Sequence, residues 1–104
     1  LPLAYERNCI FRAPTQKRLT ESGIDWQMAV DSESSRTVEA TVSADLAVHT
    51  YIKGMAPPHL EEINHGGALP TLQSVKINLY QLDTAKGQAA QAMADLLRQA
   101  FESI

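Results

Sequence analysis

The sequence predicts an α/β fold with a mainly parallel sheet flanked by helices. The prediction follows from the alternation of strand and helix patterns and from the composition of the chain. Short apolar runs rich in β-branched and aromatic residues alternate with helical patterns over the first fifty residues. Strands that alternate with helices form parallel sheets with right-handed crossovers. The composition, 104 residues of which 44% are hydrophobic and 20% charged, is typical of one folded domain.

Five elements are predicted in the first half of the chain, alternately strand and helix: strand 1–5, helix 10–22, strand 25–30, helix 36–44 and strand 47–52. The first helix has Ile10, Phe11, Pro14 and Leu19 at roughly helical spacing and ends at Gly23. Its Pro14 costs little in a first turn, where the missing N–H has no partner. The stretch DSESS supplies N-caps for the second helix. Its inner residues are predicted to be Val38, Thr41 and Val42.

The second half predicts a brief edge strand at 60–63, an alternating strand at 75–82 and a helix from Gln88 to the end. The apolar face of this helix comprises Ala90, Met93, Ala94, Leu97, Ala100, Phe101 and Ile104. Helices of the first half already cover the sheet. The apolar face is therefore predicted to pack on a partner outside this chain or on a second copy of it.

The charge and cysteine content exclude several classes of protein. Nine basic against twelve acidic residues give a net charge of −3, which predicts no phosphate-binding face and no DNA binding by this chain. One cysteine excludes an internal disulfide and suits a reducing cytoplasm. No apolar run approaches the roughly 20 residues of a membrane span.

Polar residues follow the first two strands, at residues 6–12 and 31–35. The carboxyl ends of parallel strands meet at one edge of the sheet, where helix N-termini offer free N–H groups. Arg7, Asn8, Arg12 and the neighbouring hydroxyls are therefore predicted to receive a small anion or polar metabolite.

Cys9 lies in the same stretch, at the entry to a helix, which is a position where thiols can be reactive. A cysteine nucleophile also needs a base, and no spacing pairs any of the three histidines with Cys9. We therefore interpret Cys9 as a small, partly buried residue at the helix entry. His65-Gly-Gly is interpreted as a flexible turn, since no ligand set accompanies it. No catalytic residue, metal site or cofactor is predicted, and the chain is not expected to be an enzyme.

The segments LPLAYERNCIFRAPTQKRLTESGIDWQMAV and TVEATVSADLAVHTYIKG resemble the effector-binding domain of LysR-type transcriptional regulators. In that family a strand leads into a Cys-x-x-Arg turn, which Cys9 and Arg12 match here. The segment ALPTLQSVKINLYQLDTAKGQAAQAMADLLRQAF resembles the family's C-terminal end. Two departures stand out. Asp45 lies where glycines are usual, although Asp tolerates a left-handed helix end, and Ile52 lies where proline is typical. His49 and Lys53, near the hinge, are also unusual.

The resemblance implies an incomplete lobe of a two-lobed domain like that of periplasmic binding proteins. Residues 1–82 would be the second lobe with its return strand, and residues 83–104 a C-terminal helix that packs on the first lobe. DNA would be bound only through an N-terminal helix-turn-helix outside this chain.

The implied function is the sensing of a small-molecule effector between two lobes, in a homo-oligomer. The implied ligand-binding residues lie at the cleft lip, on the neighbouring loop and at the hinge: Asn8, Cys9, Arg12, Ser32, Ser34, Tyr51, Ile52 and Lys53. Two alternatives stay open, a free-standing solute-binding module and an oligomerisation module, both without a DNA function.

Overall fold

A computed structural model describes residues 1–82 and 87–103 and divides into two compact units, Leu1–Leu72 and Gln73–Ile104. The elements are strands and helices in the order β1 Pro2–Glu6, α1 Arg12–Glu21, β2 Gln27–Ser32, α2 Ser35–Ser43 and α3 Gln88–Glu102. The predicted α/β class is confirmed at this level, as a small two-stranded parallel sheet with three helices. The assignment of residues 1–82 and 83–104 to two lobes of a larger domain remains a prediction, and its residues 83–86 and 104 lie outside the described residues.

Strands β1 and β2 pair in parallel, with Pro2 beside Gln27 and Glu6 beside Ser32. The register shifts between Leu3 and Ala4. The predicted second strand therefore exists but begins and ends two residues later than expected, so that Asp31 and Ser32 belong to it. This extension brings the carboxyl ends of both strands to the same edge.

Helix α1 begins at Arg12 rather than at residue 10, because the backbone of residues 7–11 forms turns after β1. Ile10 is consequently exposed, and the prediction that it belongs to the helix is wrong. The helix ends as predicted at Gly23, whose φ of 73° is left-handed. Gly23 N–H donates to Thr20 O (3.0 Å) and Ile24 N–H to Leu19 O (3.0 Å), the hydrogen-bond pair of a Schellman motif.

Helix α2 is capped as the hydroxyl-rich stretch predicts. The Ser34 side chain accepts a hydrogen bond from Thr37 N–H (3.4 Å). Val38 is fully buried on the inner face. At the other end Asp45 adopts φ 62°, and Leu46 N–H donates to Thr41 O (3.2 Å). The expectation that Asp permits a left-handed helix end here is confirmed.

The predicted third strand at 47–52 is reduced to a single bridge between Leu3 and Val48. Ala4 N–H donates to Val48 O (3.0 Å), and Val48 N–H donates to Pro2 O (3.0 Å). The next acceptor along β1, Ala4 O, bonds instead to the imidazole Nδ1 of His49 (2.6 Å). The ladder stops there because a side chain occupies the carbonyl that the next backbone N–H would need.

The predicted strands at 60–63 and 75–82 are wrong, since these described residues form no strand. Leu60 N–H closes a turn onto Pro57 O (3.0 Å), and residues 61–68 are exposed. The segment 75–82 alternates in sequence, but its side chains are exposed on both faces. Alternation yields a strand only through hydrogen bonds to another strand, and this segment pairs with no described strand.

Two small apolar clusters hold the first unit together on either side of β1. Leu3 and Tyr5 pack with Leu19 of α1 on one side. Ala4 packs with Val38 of α2 and Ala47 on the other. Alternate residues of β1 thus face opposite helices, as expected of a strand covered on both faces.

The second unit contains α3, which begins at Gln88 as predicted. Ala94 is buried, whereas Met93 and Leu96 remain largely exposed. Ile104, predicted on the same face, lies outside the described residues. Among residues 1–82 and 87–103, no helix has the length and apolar character needed to cross a membrane.

Candidate functional site

A cavity of about 470 Å³ opens in the first unit at the carboxyl edge of the sheet. Its lining residues come from three segments that follow a strand or bridge: Glu6, Asn8, Cys9, Phe11, Glu33, Ser35, His49, Thr50, Tyr51, Ile52 and Met55. Ligands of parallel α/β sheets bind at this edge, because loops and helix N-termini converge there. The cavity is the candidate functional site.

His49 lies against the wall of this cavity with its side chain 6% exposed. Its Nδ1 lies 2.6 Å from Ala4 O. Because a carbonyl only accepts hydrogen bonds, Nδ1 carries the hydrogen, and the neutral ring then has its lone pair on Nε2. The ring also packs between Tyr5 and Tyr51, each with a centroid separation of 4.6 Å. The imidazole is therefore fixed in position and in tautomer.

Glu6 and Cys9 lie beside this histidine. His49 Nε2 is 3.8 Å from Glu6 Oε2, longer than a hydrogen bond. One donor atom each from Glu6, Cys9 and His49 lies within 4.8 Å of the other two. The turn after β1 produces this proximity, since Cys9 N–H donates to Glu6 O (3.1 Å). A carboxylate, a thiol and an imidazole thus converge at one side of the cavity.

The arginines of the opening stretch form ion pairs with acidic residues after β2. Arg7 Nη1 lies 3.0 Å from Glu33 Oε1, and Arg12 Nη1 lies 3.2 Å from Asp31 Oδ1. The hydrogen bond from Arg12 lowers the pKa of Asp31, with Arg7 adding to the effect. These pairs are at least partly open to solvent and contribute little stability. For the site it follows that the positive charges of Arg7 and Arg12 are already balanced by the carboxylates of Glu33 and Asp31.

The predicted ligand-binding residues divide into two groups. Asn8, Cys9, Tyr51 and Ile52 line the cavity. Ser32, Ser34, Arg12 and Lys53 do not. Ser32 Oγ accepts from Ser34 N–H (3.1 Å), and Lys53 lies in an exposed turn.

Tyr51 contributes an aromatic surface to the cavity. Partial burial raises the pKa of its phenol, and the carboxylates of Glu39 and Glu6 add to the rise. The phenol is therefore a neutral donor or acceptor at physiological pH.

Sequence spacing did not pair His49 with Cys9, although the structure brings them together. The two residues are forty positions apart and become neighbours because Val48 bridges to Leu3. The available signal was the position of His49 within the predicted strand 47–52 of the same sheet. Glu6 had a related signal, as the first residue after the predicted strand 1–5, whose carboxyl end was expected at the binding edge.

His65 belongs to a separate turn. Its Nδ1 accepts hydrogen bonds from Gly67 N–H (3.1 Å) and Leu69 N–H (3.2 Å). Gly66 and Gly67 both have positive φ. The interpretation of His65-Gly-Gly as a turn is confirmed.

Comparison with known proteins gives no match to a protein-family model, a curated protein or a solved structure.

Proposed function

We propose that this chain is the effector-binding part of a LysR-type transcriptional regulator and binds a small polar metabolite in the cavity at the carboxyl edge of its sheet. Effector binding shifts the population of lobe arrangements, and DNA is bound by a helix-turn-helix domain outside this chain. No catalysis is assigned to it, and a cytoplasmic location is part of the same proposal.

The observation that carries the proposal is the position of the cavity. It lies where the resemblance to LysR-type regulators puts the effector. Four of the ligand-binding residues that the resemblance implies also line the cavity: Asn8, Cys9, Tyr51 and Ile52. The lining combines an aromatic ring and aliphatic groups with a few polar atoms, as small-molecule sites do. A free-standing solute-binding module would use the same cavity, and the sequence upstream of Leu1 in the gene distinguishes the two.

The charges of the lining favour a neutral or cationic metabolite over an anion. Glu6 and Glu33 line the cavity, and no Lys or Arg is among its described lining residues. Arg12, the candidate partner of an anionic ligand, is paired with Asp31 instead (3.2 Å).

We expect a metabolite screen by thermal shift, in buffer with a chelator, to find a neutral or cationic ligand. Tyr51→Ala should weaken its binding at least about tenfold by calorimetry, since an aromatic contact of the cavity is lost. Tyr80→Ala removes the same side chain from an 87% exposed position and serves as the control.

The same titration with Arg12→Ala separates the ligand classes. Affinity for a neutral or cationic ligand should change less than about twofold, because the Arg12 guanidinium is already paired with Asp31 and lies outside the cavity lining. A ligand whose binding is unaffected by Tyr51→Ala would contradict the assignment of this cavity as the effector site.

We also propose that the chain forms a homo-oligomer through the second unit. Helix α3 spans about 22 Å. Leu97 and Phe101 line a groove with residues 77–79, whereas Met93 and Leu96 are 56% and 60% exposed. A second copy of this surface would cover these side chains.

We expect light scattering to give a mass above the 11.4 kDa of one chain at high concentration. Leu96→Glu should restore the single-chain mass, because it places a charge in the buried contact. Gln99→Glu adds the same charge on the polar face of α3 and should leave association unchanged. A wild-type mass of one chain at every concentration would refute the oligomer.

A further inference from the structure

We propose that Glu6, Cys9 and His49 form a three-ligand site for a thiophilic divalent cation of the Zn²⁺ class, with an open coordination position that faces the cavity. This inference rests on the proposed function, because it makes the metal ion a part of what the effector cavity binds. It assigns metal chemistry to Cys9, which the resemblance to LysR-type regulators places at the cleft lip, together with Glu6 and His49, which are not among the ligand-binding residues it implies.

The first argument is the chemistry of the donor set. Thiolate, imidazole and carboxylate are the ligands of protein zinc, and sites with three protein ligands keep a fourth position for water or another molecule. A thiolate and a carboxylate carry together two negative charges, which a divalent cation neutralises. The soft sulfur of Cys9 disfavours Mg²⁺ and Ca²⁺, which prefer oxygen ligands.

The second argument is the orientation of His49. Its buried ring donates Nδ1–H to Ala4 O (2.6 Å), the outer hydrogen bond that metal-binding histidines almost always make. This bond leaves the lone pair of Nε2 toward Glu6 and Cys9. Among the described residues Nε2 makes no hydrogen bond, and its contact with Glu6 Oε2 is 3.8 Å long. No buried side-chain N or O atom of the described residues lacks a partner, so Nε2 is open to the cavity and its lone pair is available there to a ligand.

The third argument is distance. Tetrahedral zinc with bonds near 2.0–2.3 Å separates its donor atoms by about 3.3–3.6 Å. His49 Nε2 and Glu6 Oε2 are 3.8 Å apart, and the three donor atoms all lie within 4.8 Å of one another. Rotation of the Glu6 and Cys9 side chains is enough to shorten these separations to those of a zinc site. Glu6 and Cys9 lie at the end of β1 and in the turn that follows it, so no backbone rearrangement is required.

Binding is written as Cys9–SH + M²⁺ → Cys9–S–M⁺ + H⁺, with the proton released to solvent and no change of oxidation state. Glu6 and the Nε2 lone pair of His49 complete the protein ligands. Water or a polar group of a metabolite takes the open position, where Asn8 and Tyr51 line the cavity.

Titration of the full chain with ZnCl₂, and with CoCl₂ as the spectroscopic probe, tests the proposal. We expect one equivalent of either ion to bind, with a thiolate-to-cobalt charge-transfer band and the intense visible bands of a tetrahedral site. Cys9→Ser and His49→Ala should each lower the affinity at least about 100-fold, since loss of outer hydrogen bonds alone costs 10–100-fold. Glu6→Gln should lower it as well while keeping the side-chain shape.

His59→Ala is the matched histidine control, because His59 pairs with Glu39 (2.9 Å) outside the cluster and should bind metal as the wild type does. The melting temperature of each variant without metal shows whether it is folded. The proposal would be overturned if folded Cys9→Ser bound the metal ion as tightly as the wild type does. Absence of the charge-transfer band, or of one-to-one binding, would overturn it as well.

The two proposals fail separately. A metabolite that binds in chelator and depends on Tyr51, in a chain that binds no cobalt, would overturn the metal site and leave the effector cavity. Metal binding that depends on Cys9 and His49 without any metabolite ligand would support the metal site and contradict a purely organic effector.

Discussion

Leu3→Ala is expected to lower the free energy of unfolding of the first unit by about 2–5 kcal/mol, the usual cost of truncating a buried leucine. Leu3 is 1% exposed and lies on β1, the strand that both helices of this unit cover. A small domain has a total stability of only about 5–15 kcal/mol, and this loss is a large part of it.

Urea unfolding followed by Trp26 fluorescence measures this effect directly. Trp26 is the only tryptophan of the chain and packs against the cluster that contains Leu3. Leu46→Ala, at a 64% exposed position of the first unit, is the matched control and should change stability by less than about 0.5 kcal/mol. A midpoint for Leu3→Ala equal to that of wild type would contradict the description of this core.

Local sequence signals predicted those parts of the fold that depend on local interactions. Gly23 and Asp45 end their helices with left-handed residues, and Ser34 caps α2 through its own hydroxyl. Each of these features is decided by the conformational preference or hydrogen bonding of a few neighbouring residues. For this reason the three helices were identified with errors at their ends of no more than about two residues.

Strand pairing was predicted less well because it depends on distant residues. The alternating segment 75–82 has a strand pattern but pairs with no described strand. At 47–52 a single side chain competes with the backbone for a hydrogen-bond acceptor. The His49 imidazole bonds to Ala4 O, which the next backbone N–H of the ladder would need. A pattern of apolar residues carries no information about such competition.

The same competition explains why the candidate site was predicted only in part. The edge of the sheet was correctly expected to collect residues from separate loops, and Asn8, Cys9, Tyr51 and Ile52 line the cavity. The hydrogen bond from His49 to Ala4 O ends the ladder and also holds the imidazole beside Cys9 and Glu6. The feature that shortens the strand is therefore the one that builds the donor group.

Tyr5→Phe is expected to lower stability by about 1–2 kcal/mol, because it removes a buried hydroxyl from a short chain of hydrogen bonds. The Tyr5 hydroxyl shares a hydrogen bond with Thr50, whose hydroxyl also bonds Thr15 (3.1 Å). This chain joins β1, α1 and the segment after Val48 beneath the cavity. Its loss should therefore loosen the segment that carries His49 and Tyr51.

The pH dependence gives a second test of Tyr5 in buffer with a chelator. Burial raises the pKa of the Tyr5 phenol above its ordinary 10.0, against smaller opposing effects of its threonine hydrogen bonds. The folded state thus disfavours ionisation, so this contribution is complete below about pH 10 and is lost as the pH rises through the folded pKa. Wild type and Tyr80→Phe should both lose stability above pH 10, and Tyr5→Phe should lose less over the same interval. An equal alkaline loss in Tyr5→Phe would show that Tyr5 is not the buried phenol that couples this core to the candidate site.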